Sequence, residues 1–432
     1  MKEVIGKYRW TICTLIFFAT TVNYLDRAVI SLLKSTLSTE FSWDDGDYAN
    51  IELAFKISYS VGLLGAGRLI DKVGTKVGYA VATAFWSVAA ICHAFATGVV
   101  SFGVARSALG VSEAGNFPAA IKTVAEWFPK KERAFATGLF NSGTNVGAIA
   151  APLTVPFIAK AWGWQWAFIL TGFLGFLWLI WWMIYYEVPE KQKRLSIGEF
   201  EYIHSDQDEK GDTETAGPKL SWARLLGFRQ TWAFAIGKFL TDPIWWFYLF
   251  WLPDFLESQY GLKITRVALP VALVYTMSTV GSIGGGWLPM NLIQKGWPVF
   301  RARKTSMLIY AFFVVPILFA QILGGINMWL AIMIIGLAAA AHQAWSANIF
   351  TTVSDMFPKN STASVTGIGG MFGGLGGIML TAFVQKKLFV HYRAIGQIET
   401  AYYIMFFICA FAYLAAWLIM HILVPKMKKL QI

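Results

Sequence analysis

Twelve apolar stretches follow one another along this chain, each close to the ~20 residues that a bilayer-crossing helix needs. They run approximately 10–34, 50–70, 77–97, 99–122, 134–158, 165–186, 230–256, 267–293, 304–323, 327–350, 363–385 and 400–424. Within lipid every backbone donor and acceptor must find its partner inside the protein, so such a chain is committed to helices packed on helices. Composition agrees: 56% of the 432 residues are hydrophobic and only 14% are charged, which argues against a soluble α/β enzyme. The expected fold class is an all-α membrane protein with twelve transmembrane helices.

The formal net charge of +11 invites a nucleic-acid partner, but its placement rejects one. Lys2, Lys7, Arg9, Lys72, Lys76, Lys130, Lys131, Arg133, Arg301, Arg303, Lys304, Lys426, Lys428 and Lys429 all fall on one side of a twelve-span chain. The first loop on the other side, Asp44-Asp45-Gly46-Asp47, is acidic. The positive-inside rule then puts both termini in the cytoplasm. The loop with Lys386, Lys387 and Arg393 runs against that rule, though later loops weigh less. Cys13, Cys92 and Cys409 sit in apolar segments without disulfide or metal-ligand spacing, and are expected to be buried packing residues. The N-terminus is basic and then apolar, like a signal peptide. Its run is too long, carries Asp26-Arg27 and lacks a small-residue cleavage site, so a retained first helix is expected.

Charges lie deep inside two of the apolar stretches: Asp26 and Arg27 in the first, Arg106 and Glu113 in the fourth. Each would cost about 2.5–3.5 kcal/mol at a bilayer centre on insertion scales unless paired or wetted. Seven residues separate Arg106 from Glu113, which puts both near one helix face. Two carboxylates and two guanidiniums at such depth imply a polar cavity that handles protons and an anion.

A polar linker from Glu187 to Phe228 separates six spans from six. Ser196-Ile-Gly-Glu199 is suited to cap a short surface helix, and Gly211–Pro218 is expected to be mobile. The halves retain a repeat. Trp127-Phe128-Pro129-Lys130, then Ala136-Thr-Gly138, recurs as Met356-Phe357-Pro358-Lys359, then Val365-Thr-Gly367. Glu126 answers Asp355, and Gly147 answers Gly376. Two parallel six-span repeats, with substrate held between them, suit alternating access. The same offset maps Glu113 onto His342.

Gly67-Arg-Leu-Ile-Asp71-Lys72-Val-Gly74-Thr-Lys76, between spans two and three, resembles the signature loop of the major facilitator superfamily, Gly-x-x-x-Asp-[Arg/Lys]-x-Gly-x-[Arg/Lys]. The corresponding loop from Gly286 to Gly296 is degenerate. Asn23-Tyr24-Leu-Asp26-Arg27 and Arg106-x-x-x-Gly110-x-x-Glu113-Ala resemble the anion:cation symporter family. Lys238-Phe-Leu-Thr-Asp242-Pro243-Ile-Trp245 and Ala341-His342-Gln343-Ala344-Trp345-Ser346 resemble its hexuronate branch. The resemblance covers nearly the whole chain. It implies two pseudo-symmetric six-helix bundles, residues 1–186 and 229–432, around a cytoplasmic linker at 187–228. It also implies a monomeric, multi-pass protein of the bacterial inner membrane, with an organic anion, protons and lipid as partners and no cofactor or metal.

Asp26 and Glu113 are the candidate proton carriers. A poorly solvated carboxylate favours its proton, a neighbouring guanidinium opposes it, and moving the guanidinium switches the state. Static ion pairs that fix packing are the plainer alternative. Arg27 and Arg106 are each suited to grip a substrate carboxylate or to neutralise an acid. The resemblance assigns Arg27 to substrate and Arg106 to an acid. Asn141, Thr144 and Asn145 share a face of span five, and Thr144 is the candidate ligand of a sugar hydroxyl; helix joining is the alternative. His342, Trp345 and Ser346 share a face of span ten, with Gln343 beside it. Trp345 is suited to stack on a pyranose, while His342 either titrates or is held structurally. Tyr24, Tyr59 and Trp245 complete the candidate substrate set. Lys238 and Asp242 read as a local pair lining the cavity, and Asp242-Pro243 as a helix break. Glu52 and Lys56 read as a solvated pair at the outer mouth. Gly67, Asp71, Lys72, Gly74 and Lys76 are the candidate gate, with Asp71 expected at the N-terminus of span eleven. The span-eleven glycines, Gly367 to Gly377, read as sites of close helix approach.

These residues point to a proton-coupled symporter for a hexuronate. An aldonate, aldarate or other organic anion is the alternative cargo. A membrane-embedded transferase would carry its catalytic cluster at one membrane face or in a large loop, and a non-transporting sensor would need a signalling domain; neither is seen.

Overall fold

The computed structural model describes residues 6–43, 45–205, 221–262 and 264–426. The linker run from Asp206 through Gly211–Pro218, and Lys2, Asp44, Lys428 and Lys429, lie outside them. Each of the twelve expected stretches is helical over most of its described length. Span one is Tyr8–Leu32, span two Asp45–Val73, span three Thr75–Cys92, span five Lys130–Trp162 and span six Trp164–Tyr185. Span four comprises two helices, Val99–Glu113 and Asn116–Trp127. Span seven is Arg229–Tyr260, span eight Ile264–Gln294, span ten Met328–Met356 and span twelve Ile398–Leu423. Span nine runs from Val299–Val314 through a 3-10 turn into Ala320–Ile326. Span eleven, Lys359–Met379, continues through a π-helical stretch into Lys386–Ala394.

Among the described residues, nine helices are long and apolar enough by themselves to cross a membrane. Spans four, five and seven are not among them. Span four is divided into helices of 15 and 12 residues, each too short alone. All three spans carry polar groups that lower hydropathy yet turn inward rather than to lipid: Glu113 and Lys122, Asn141 and Thr144, and Lys238 and Asp242.

The repeat is visible in the backbone. Pro129 (φ −62°, ψ 152°) and Pro358 (φ −65°, ψ 154°) each precede the first residue of a span. Phe128 and Phe357 are extended, as a residue before proline prefers. Span two packs on span eleven and span eight on span five, through glycines that are equivalent in the two halves. A Cβ on Gly67 would lie 2.3 Å from the Ala363 carbonyl oxygen, and one on Gly286 would lie 2.2 Å from that of Ala134. In the linker, Ser196 accepts from Glu199 N at 3.2 Å to cap Ile197–His204. The Glu199 carboxylate in turn accepts from Tyr8 N and Arg9 N at 2.9 and 3.0 Å, which fastens that helix to the N-terminus of span one.

Two expectations fail. Asp242-Pro243 does not break span seven, which is one helix from Arg229 to Tyr260. Pro243 leaves the Phe239 carbonyl without an N–H, and span eleven closes against that oxygen at Gly376, where a Cβ would sit 2.2 Å away. Cys92 is exposed, unlike Cys13 and Cys409; at the end of span three the neighbouring His93 takes the inward position.

Candidate functional site

A cavity lies between the halves. Tyr24 and Arg27 of span one, Tyr59 of span two, and Asn141 and Thr144 of span five line one wall. Lys238, Asp242 and Trp245 of span seven, with His342, Gln343 and Ser346 of span ten, line the other. Asn141 Nδ2 donates to Gln343 Oε1 at 2.7 Å, bridging the walls.

Arg27 is the guanidinium that reaches this space. Its Nε and Nη2 both engage Glu113 Oε2, at 3.0 and 2.9 Å, and Nη2 donates to Asn23 Oδ1 at 3.3 Å. The faces of Tyr24 and Tyr59 hold it at 4.6 and 4.7 Å, an arrangement worth about 0.5–2 kcal/mol per ring. Glu113 lies behind Arg27, fully buried, with Oε1 unpartnered.

Arg106 makes its ion pair with neither Asp26 nor Glu113. Its Nη2 meets Glu52 Oε1 at 2.9 Å and the Arg27 carbonyl at 3.0 Å. Two helical turns separate it from Glu113, which brings it level with Glu52 instead. Glu52 is thus half-buried against Arg106 rather than fully solvated at the outer mouth. Asp26 is buried, and neither of its oxygens meets a donor.

On the second wall, His342 Nδ1 lies 2.6 Å from the Tyr413 hydroxyl, and its ring stacks on Trp245 with centroids 5.1 Å apart. Trp345, expected to face substrate, does not. It is fully buried against Tyr413, because at about 100° per residue it falls on the flank of His342 away from Gln343 and Ser346. Asn145 likewise misses the cavity, buried beside the Asn141 and Thr144 face, while Thr144 Oγ1 donates to the Asn141 carbonyl.

The signature loop lies at the basic end. Gly74 turns between spans two and three at φ 90°, a conformation glycine adopts without strain. Asp71 Oδ2 accepts from Ser364 N in span eleven at 2.7 Å, and Oδ1 pairs with Lys122 Nζ at 3.0 Å. Lys122 is a partner that sequence reasoning missed; its signal was a lysine inside the fourth apolar stretch. Arg303 adds a second tie, holding Asp355 at 3.0 Å and donating to the Lys130 carbonyl at 2.8 Å. Lys72 is exposed. Lys76 pairs with Glu187 at 2.9 Å, and its hydrogen bond holds the Glu187 carboxyl below the usual carboxylate range.

The sequence profile of the Major Facilitator Superfamily matches residues 16–381. The chain belongs to that superfamily. It is 34% identical over 371 residues to the "Hexuronate transporter" of Escherichia coli (strain K12), covering 86% of this chain and 85% of the relative. It is 35% identical over 291 residues to the "Galacturonate transporter" of Dickeya chrysanthemi, covering 67% and 84%. The solved proton:xylose symporter XylE, bound to 6-bromo-6-deoxy-D-glucose, superposes with a TM-score of 0.74 at 16% identity over 98% of both chains, a likeness of fold. As a member of this superfamily the chain is a multi-pass membrane transporter and not an enzyme.

Proposed function

We propose that this facilitator imports a sugar-acid anion, a hexuronate such as galacturonate or glucuronate, together with protons, across the bacterial inner membrane. Its halves, residues 1–186 and 229–432, alternate access about the cavity, and the basic end faces the cytoplasm. The observation that carries the reading is Arg27, an aromatic-clamped guanidinium on the cavity wall held by a buried acid. When Glu113 takes a proton its hold on Arg27 weakens, and the guanidinium grips the substrate carboxylate bidentately. Asp26 is a second proton site: an ionised carboxylate buried without a donor is costly, a protonated one much less so. Tyr24, Tyr59, Thr144, Gln343 and Ser346 supply hydroxyl and amide groups for a sugar, and Trp245 an apolar face. The names of the relatives support this cargo.

The test is a binding titration of purified protein with galacturonate against its neutral parent, galactose. Wild type should bind the acid preferentially, and Arg27→Lys should lose most of that affinity, because lysine keeps the charge without the fork. A preference for the acid that survives Arg27→Lys would move the anion site elsewhere.

A further inference from the structure

The symport reading draws on one cation–carboxylate couple, Arg27–Glu113, and leaves a second idle on the opposite wall. Lys238 Nζ lies 2.8 Å from Asp242 Oδ2, one turn along span seven, and both residues line the cavity. The couple is built into the packing. A Cβ on Gly373 of span eleven would stand 2.2 Å from Asp242 Oδ2, so only glycine leaves room for that carboxylate. The Lys238 ammonium sits 4.0 Å over the Phe350 ring, which stacks on Phe117 of the other half. The side chains are 6% and 20% exposed respectively. The lysine is therefore shielded, and the carboxylate is the member that faces open space.

We infer that Asp242 sets the charge capacity of the site: by neutralising Lys238 it restricts the cavity to an anion with one carboxylate and excludes the dicarboxylate of the same carbon skeleton. The charged residues lining the cavity are Arg27, Lys238 and Asp242, with Glu113 directly behind Arg27. Once Glu113 releases Arg27, one guanidinium is available and the other couple is internally balanced. One substrate carboxylate is compensated. A second, at the far end of a sugar acid, meets a couple whose cation is screened and whose anion points at it. With the Asp242 charge removed, the ammonium has no carboxylate partner on span seven and becomes a second anion subsite.

This inference rests on the sugar-acid reading, and the experiment separates the two. Purified protein is titrated with galacturonate and with galactarate, which carries carboxylates at both ends. Wild type should favour galacturonate. In Asp242→Asn the affinity ratio of galactarate to galacturonate should rise about tenfold or more, the effect of one unscreened charge a few ångströms away. In Lys238→Met, where the Asp242 carboxylate stands alone, both acids should bind more weakly. The double variant should recover galacturonate relative to Lys238→Met and lack the galactarate gain. An unchanged ratio in Asp242→Asn, or wild type that binds both acids equally, overturns the inference and leaves sugar-acid binding standing. Wild type that binds neither acid overturns the reading beneath it as well. If size-exclusion profiles show that Asp242→Asn does not fold, the other two variants decide, and no recovery in the double variant contradicts the inference.

Discussion

The halves meet along two faces that are alike in packing and unlike in charge. At one, span two closes on span eleven through Gly67; at the other, span eight closes on span five through Gly286. Four residues past each glycine the likeness ends, with Asp71 in one face and Met290 in the other. The first face carries a buried acid bonded to Lys122 and Ser364 N. Between the two helices of the second face the contact is neutral, the Ser282 hydroxyl donating to the Gly138 carbonyl at 2.8 Å, and the ion pairs on that side run instead from Arg133 of span five and Arg303 of span nine to Asp355 of span ten. Close packing lets both faces slide as helices, whereas an acid within the packed pair itself, Asp71 against Ser364 N, gives the first a direct latch. The duplicated scaffold therefore supplies the motion, and the asymmetric charge supplies its bias.

The comparison breaks most visibly at Asp71. Asp71→Asn removes the charge that accepts from Ser364 N across the halves, a hydrogen bond to a charged group worth about 1.5–3 kcal/mol, while Lys122, in the same half as Asp71, is stranded in either state. The state closed at the basic end should lose about one to two orders of magnitude in population, and Asp71→Asn/Lys122→Met should recover fold stability without recovering that population. Labelling of a cysteine placed at Ser346, from each side of the membrane, reads the shift. An unchanged ratio would make Asp71 a bystander. A smaller effect is expected at the shared glycines. Gly67→Ala and Gly286→Ala each force a methyl against a backbone oxygen, at about 1–3 kcal/mol, and should weaken the same closed state to similar extents. Sensitivity at Gly67 alone would show that the packing is not symmetric.

The smallest effect belongs to Lys76, which lies in the signature loop but outside the latch. Glu187 has its pKa depressed by Lys76, so its stabilising contribution is present above the unfolded carboxylate value and fades as pH falls through the depressed one. Glu187→Gln should lower thermal stability only slightly at pH 7, within the ~0.2–1 kcal/mol usual for such exposed pairs, and the difference should vanish in strong acid. A difference that grew on acidification would have the wrong sign for this pair.

The spans were legible because length and hydropathy are local properties, and the Phe-Pro-Lys repeats marked two helix starts that the backbone reproduces. Tyr24, Arg27, Tyr59, Thr144, Trp245, His342, Gln343 and Ser346 were also legible as cavity residues, since inward-facing polar and aromatic groups interrupt apolar runs. Pairing was not. Which acid Arg106 meets depends on the rotation and height of span two relative to span four, across 54 residues of sequence. Lys122 and Asp71 are 51 apart, and Asn141 and Gln343 are 202 apart. Trp345 misled because an i, i+3 face is wider than the arc that the cavity subtends on span ten. Pro243 misled because the carbonyl it leaves bare is covered by a glycine from another helix, which its own segment does not reveal.

Coupling of a sugar acid to protons in one cavity, through Asp26 and Glu113, is what the proposed transport cycle depends on. The most direct test is uptake of labelled galacturonate into proteoliposomes, with and without an inward proton gradient, for wild type, Asp26→Asn and Glu113→Gln. Wild type should accumulate it above the external concentration, a protonophore should abolish that accumulation, and neither variant should show uphill uptake, because an amide cannot carry the exchanged proton. Uphill uptake at the wild-type rate in both variants would contradict that coupling.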